Sequence, residues 1–330
     1  MKQVSFYLFM FLTLTLTVDC AYAGTDSTSR VSVFVISDAT NAVTATIAGG
    51  KYPDGAAFDW NRNEVFVTNQ DSGTVSVISD ATNKVTATIT LGKSPAGVAF
   101  DPNKREVFVA SGSKTVSVIS DTTNKVTAII TGLNAPIDVA FDSNKNEVFV
   151  ANYGSDSVSV ISDTTNTVTA TITLPAGSWP VAVAYDPNRG EVFVANSGSG
   201  TVSVISDSSN EVIATVTVGA FPWAVAFDYH NKEIYVANYG SSSVSVISDA
   251  TNAVIATITL PANSSPFGVA FDYHKNEIFV TNYWSGSVIV ISDTTNTAFK
   301  TIIVGRYPAA VAFDSNKNEL FVTNAPPPPG

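Results

Sequence analysis

The sequence predicts an all-β fold, a seven-bladed β-propeller with four antiparallel strands per blade, and three observations carry that prediction. The tripeptide Ile-Ser-Asp recurs at Ile36, Ile78, Ile119, Ile161, Ile205, Ile247 and Ile291, at intervals of 41 to 44 residues. Each interval holds four short stretches, VSVIS, VTATI, VAF and EVFVAN in their commonest spelling, rich in residues that suit a pleated, half-buried surface. No sustained helical period occurs, whereas solenoid repeats of similar length are mostly helical.

The elements follow in chain order. Lys2, the apolar run Val4–Val18 and the small residues of Ala21-Tyr22-Ala23 have the anatomy of a secretory signal peptide, residues 1–23, cut before Gly24. The alternative is a retained N-terminal anchor, for which the run is short. Cleavage removes Cys20, the only cysteine, so the mature chain has no disulfide and no thiol chemistry. A short extension, residues 24–29, leads into the repeats, which fill residues 30–324, and a proline-rich tail, residues 325–330, follows. No apolar anchor follows that tail, so no transmembrane segment is expected in the mature chain.

Within a repeat, the Pro-x-x-Val-Ala-Phe stretch is the expected innermost strand. Seven strands converging on one axis need small side chains, and Gly97, Ala99, Ala182, Ala184, Gly268 and Ala270 supply them. The Val-Thr-Ala-Thr stretch is the expected outermost strand, its apolar face (Val85, Ala87, Ile89) packed and its threonine face wet. This phasing starts the chain in mid-blade. Residues 31–36 and 43–47 are expected to complete a last blade whose inner strands are residues 309–313 and 319–323.

The recurring EVFVTN, EIYVAN and EVFVAN segments, with PxGVAFD and SVSVISD around them, resemble the YVTN family of β-propeller repeats across residues 30–324. That resemblance implies a propeller of the kind found in archaeal surface-layer and bacterial secreted proteins. It implies little about activity, since propellers host binding, scaffolding and catalysis alike.

Charge excludes one partner class. The net charge is −11 with no run of Lys or Arg, which argues against nucleic acid. Of 28 acidic residues, 21 recur at three fixed places per repeat, in the Phe-Asp-x-x-x-Asn-Glu and Ser-Asp-x-x-Asn turns of one end, where they read as turn caps rather than a calcium rim. Arg62, Lys104, Arg105, Lys145 and Lys317 share those turns and are expected to neutralise much of the rim. His230 and His274 occupy the same turns as solvent-exposed residues. No metal-ligand spacing, nucleophile elbow or phosphate loop occurs, so no metal and no cofactor is expected.

The opposite end carries the Gly-x-x-Pro and Asn-Tyr-Gly-Ser loops, and here the copies diverge. Trp179, Trp223, Phe267 and Trp284 do not recur, and with Tyr52, Phe221 and Tyr307 they are the candidate partner-binding residues. Tyr153, Tyr239 and Tyr283 recur after Asn and read as structural. Asp54 and Asp138 follow the proline of an inner strand and are candidates for a site at the channel mouth, where two carboxylates can do acid–base work or hold a cation. Asn263-Ser264-Ser265 is a glycosylation sequon in a longer loop of the same end. The expected function is therefore a secreted or cell-surface, non-catalytic module (periplasmic if the host has an outer membrane). Its expected partner is an envelope glycan or a surface protein, with self-association in a lattice as a further reading. The alternative is a small-molecule lyase or lactonase-like enzyme at the channel mouth.

Overall fold

The computed structural model describes residues 32–92, 94–112 and 114–325. The signal-peptide, extension and Cys20 readings, and residues 326–330 of the tail, lie outside the described residues. Among the described residues, twenty-eight strands run in chain order from β1 (Ser32–Ser37) and β2 (Ala42–Ala48) through β3 (Pro53–Asp59), β4 (Glu64–Asn69), β5 (Thr74–Ser79) and β6 (Lys84–Thr90) to β27 (Pro308–Asp314) and β28 (Glu319–Asn324). They form seven four-stranded antiparallel sheets, with β3-β4-β5-β6 as the pattern for every blade. Among the described residues there is no α-helix, and so no helix long and apolar enough to cross a membrane. Blade 1 is residues 53–90, blade 2 is 95–131, blade 3 is 136–173, blade 4 is 180–217, blade 5 is 222–259 and blade 6 is 266–303. Blade 7 has the order β2-β1-β28-β27, with Val33 opposite Thr323 and Ser37 opposite Glu319, so the two ends of the repeat array close the ring together.

The turns explain the regularity. In the Ser-Asp-x-x-Asn turn the Asn adopts a left-handed backbone (Asn83 φ 52°, Asn124 φ 54°), which Asn tolerates better than other residues with a side chain. Asn83 N–H then donates to Ser79 O at 2.9 Å and closes the turn. The Asn ending β4 is buried, and Asn69 Nδ2 donates to Ser76 Oγ at 3.0 Å, tying the second strand to the third.

The core lies between blades. The aromatic residue at the third position of every second strand is fully buried, as Phe66, Phe108, Phe149, Phe193, Tyr235, Phe279 and Phe321. Each seats against the next blade; Phe321 of blade 7, for example, joins Phe58, Val65 and Ile78 of blade 1. Such a ring contributes about 1.5–3 kcal/mol by burial.

The outer strand differs from the expected alternation. A bulge sits between Val77 and Ile78 opposite β6, so Thr86 is the extra residue and Val85 turns to solvent at 38% exposure, while Ile89 stays buried. The freed threonine is used, Thr86 Oγ1 donating to Val77 O at 3.2 Å.

Three junctions carry an additional bond. Thr68 Oγ1 accepts from Gly55 N–H at 2.7 Å and donates to Ala96 O of the next blade at 2.6 Å. Thr281 repeats this with Gly268 N–H and Ala309 O, and Thr323 with Ala310 N–H and Asp54 O. These are the junctions at and beside the closing blade; blades 2 to 5 have Ala at this position.

Candidate functional site

The acid-rich end is built by the turns themselves. Asp59 Oδ1 accepts from Asn61 N–H at 2.8 Å and Arg62 N–H at 3.2 Å, and the corresponding Asp caps its turn in the other blades. The second oxygen of each is buried and accepts no hydrogen bond from a protein donor among the described residues. It faces an Ser-Asp-x-x-Asn aspartate of the next blade, as Asp59 faces Asp121, Asp101 faces Asp163 and Asp314 faces Asp80. Burial first, and the neighbouring carboxylate after it, push Asp59, Asp228 and Asp314 up to about 6. A proton retained by the inner-strand aspartate lets that buried oxygen donate to its neighbour.

Cations close the rim from outside. Lys104 Nζ lies 3.8 Å from Asp163 Oδ1, Lys145 Nζ 3.6 Å from Asp207 Oδ1 and Arg105 Nε 3.2 Å from Asp121 Oδ2. His230 is half exposed as expected, yet its Nδ1 lies 2.9 Å from Asp293 Oδ2 in the next blade. Among the described residues no group of three or more His, Cys, Asp or Glu side chains is placed to hold a metal ion.

The other end has a backbone as uniform as the acid end. In all seven blades the residue before the inner-strand proline is left-handed: Tyr52, Ser94, Ala135, Trp179, Phe221, Ser265 and Tyr307, with φ between 47° and 61°. Residues before proline favour extended backbone, and a side chain in this region is strained. One bond per blade holds it, the carbonyl accepting from the residue after the second strand, as Trp179 O accepts from Ser197 N–H at 3.1 Å. Four of the seven candidate rings stand on this strained position.

Their surroundings separate them. Trp179 is 46% exposed, tilted against Tyr153 at 6.0 Å, over Gly198, where a Cβ would come within 2.8 Å of the indole. Asp156 fixes that loop, its carboxylate accepting from Gly177 N–H and Trp179 N–H, each at 2.8 Å. Phe221 is 43% exposed and lies over Gly240 in the same way. Tyr52 departs from expectation. It is only 8% exposed, because Ala309, Ala325 and Phe267 close over it, and it is a packing residue rather than a contact surface.

Trp223, Phe267, Trp284 and Tyr307 come together with Tyr239 and Tyr283 in one network over blades 5 to 7. Trp223 lies 5.2 Å from Phe267, Phe267 stacks on Tyr283 at 5.3 Å, and Tyr283 meets Trp284 at 5.3 Å and Tyr307 at 5.1 Å. Trp284 Nε1 donates to Tyr239 Oη at 2.7 Å, which fixes an indole that remains 43% exposed. Asn263 is exposed, in the loop that Ser264 Oγ closes by donating to Pro261 O at 2.6 Å.

Asp54 and Asp138 stand at the second and third positions of the inner strands of blades 1 and 3, close enough for Asp138 to act on Asp54. Burial, with Asp138 added, pushes Asp54 up to about 7, and burial pushes Asp138 up to about 6 against the opposing Val183 N–H, which donates to its Oδ2 at 2.9 Å. Both histidines belong to turns at the far end of the inner strands, so no imidazole shares the mouth with them.

No family model matches the chain, and no curated protein is similar to it in sequence. Among solved structures, one titled Kuenenia stuttgartiensis Hydrazine Synthase is similar to it with a TM-score of 0.76 at 16% identity, over 86% of this chain and 95% of that chain. At that identity the likeness is one of fold. This chain is an all-β, seven-bladed β-propeller with four antiparallel strands per blade.

Proposed function

We propose that the propeller is a secreted or cell-surface binding module, non-catalytic, whose aromatic end takes an envelope glycan. One observation carries the reading. Trp179, Phe221 and Trp284 keep 43–46% of their surface in solvent while the Asp156 carboxylate, close-fitting glycines and a ring hydrogen bond hold them still. Flat rings fixed in advance offer apolar area at little entropic cost, which suits the faces of sugar rings. The leader-like residues 1–23 and the resemblance to YVTN surface proteins agree with an envelope location.

The test is capture of residues 24–330 on an isolated cell-envelope glycan fraction beside the W179A/F221A/W284A variant. Retention of the native domain, with at least a tenfold loss in the variant, is the expected result. Equal retention of both sinks the reading, and retention only on protease-sensitive material assigns the face to a surface protein instead. A lyase or lactonase-like enzyme at the channel mouth is the second reading, favoured by the raised carboxyls of Asp54 and Asp138. It requires a substrate whose turnover D54N/D138N abolishes.

A further inference from the structure

We propose that the channel mouth at the aromatic end binds a small organic cation, a protonated amine or quaternary ammonium group. The cation sits between the carboxylates of Asp54 and Asp138 and the rings of Trp223, Phe267 and Tyr283. The second and third residues of the inner strands ring the mouth. They are Ala96 and Gly97 in blade 2, Val181 and Ala182 in blade 4, and Ala309 and Ala310 in blade 7. Only blades 1 and 3 place acids there, and only blades 5 and 6 place aromatic rings. Going round seven blades, blades 5 and 6 stand across the axis from blade 2, so an aromatic arc faces an acidic one. Tyr283, which stacks on Phe267 of the aromatic arc, is raised in part by Asp54, and Asp54 in part by Asp138.

The acids are held in place, Asp138 by the backbone N–H groups of Val183 and Val139, and among the described residues no cation pairs with either. Thr323 Oγ1 donates to Asp54 O at 2.9 Å and fixes the backbone, while among the described residues nothing donates to the Asp54 carboxyl. Asp138 is the charge that acts on Asp54, and among the described residues no Lys, Arg or His forms an ion pair with either carboxyl. Asp138 takes Val183 N–H on one oxygen, and its other oxygen lies over Gly97. A Cβ on Gly97 would fall 2.3 Å from that oxygen and 2.6 Å from Asp138 Cα, so blade 2 leaves room for the carboxyl. The scaffold does not need either acid, since other blades place Ala, Ile, Val, Trp, Phe or Gly at these positions.

A half-buried negative pair without a counter-ion attracts a cation, and facing rings select one that is soft and weakly hydrated. Two carboxyls fall well short of the roughly six to eight oxygens that calcium takes. The site is separate from the exposed platforms of Trp179 and Phe221 and does not rest on glycan binding.

Isothermal titration with tetramethylammonium chloride and n-butylammonium chloride at pH 8 tests this, with n-butanol and calcium chloride as controls. Both ammonium ions are expected to bind saturably and to change tryptophan fluorescence, n-butanol not at all. D54N is expected to weaken binding at least tenfold, and so is lowering the pH from 8 to 5, where both carboxyls hold protons. The groups facing the cation are Asp54, Asp138 and Tyr283, and the histidines at the far end take no part. W223L supplies a second variant with the charge intact, expected to weaken tetramethylammonium more than n-butylammonium, and circular dichroism verifies the fold of each variant. The rim variant W179A/F221A is expected to keep ammonium affinity within twofold, so this proposal and the glycan reading fail separately. Absence of saturable ammonium binding, binding unchanged in D54N, or binding of calcium in place of ammonium overturns the proposal.

Discussion

The two ends of the propeller share a scaffold and differ in what repeats. At the acid end, side chain and backbone recur together in the caps: an Asp caps each inner-strand turn and a left-handed Asn closes each outer one, although the left-handed residue ending the inner turn is Asn in four blades and Arg105, Gly190 or Lys232 in the others. At the aromatic end only the backbone recurs. The pre-proline residue is left-handed in every blade, but the side chain it projects is Tyr, Ser, Ala, Trp, Phe, Ser or Tyr in turn. Where side chain and backbone repeat together, the side chain makes the backbone conformation possible. Where the backbone repeats under changing side chains, a main-chain hydrogen bond holds it and the side chain is released for other work.

The harshest way to break the contrast is to open the ring. Deleting residues 30–48 removes β1 and β2 and strips the edge of β28. Both ends are then expected to fail together, with aggregation seen by size-exclusion chromatography. A monomeric deletion variant with an unchanged melting temperature would refute this.

A gentler test uses pH, to which the two ends respond unequally. Asp59, Asp228 and Asp314 rise from 3.8 to about 6 on folding, and Asp101, Asp142, Asp186 and Asp272 rise as well. The folded chain therefore binds these protons more tightly than the unfolded one. The associated stability is complete below pH 4 and is lost as pH rises through about 6. Urea unfolding between pH 4.5 and 6.5 is expected to show stability falling by at least about 1.4 kcal/mol per pH unit, the slope of one proton. D59N/D228N/D314N is expected to flatten that slope, while D54N/D138N at the other end removes a smaller part. A slope of the opposite sign excludes proton sharing between the blades.

The smallest effect comes from the strained loops. Ser94→Gly relieves a left-handed pre-proline residue and is expected to stabilise by up to about 1 kcal/mol. Asn276→Gly at the acid end, with a similar φ of 58°, is expected to change stability by a few tenths of a kcal/mol at most, because Asn already suits that conformation. Equal effects in thermal melts erase the distinction between the ends.

The fold was legible because it is written locally. Each strand, turn residue and small inner side chain lies within one repeat, and the closure of blade 7 follows from phasing alone. What escaped is what neighbouring blades do to each other. Asp59 and Asp121 meet across a junction from distant places in the chain, and their spelling as turn caps hides the meeting. Thr68, Thr281 and Thr323 read as ordinary variants of Ala until the next blade brings a carbonyl to each hydroxyl. Tyr52 shares its loop position with Trp179, and only Ala309, Ala325 and Phe267 distinguish a covered ring from an open one. The signal for the strained position was present as an invariant proline preceded by changing residues, but proline alone points to the wrong region of backbone space.

Closing a ring with strands from opposite ends of the repeats also sets a schedule for synthesis. The hairpin of β1 and β2 emerges first, and Val33 must wait for Thr323 before its free edge is paired. At ribosomal rates of about 5–20 residues per second, that delay is roughly 15 to 60 seconds. For that time the nascent chain carries an open hairpin whose natural mate does not yet exist. Chaperone capture, or pairing with a neighbouring nascent chain, competes with closure during that interval.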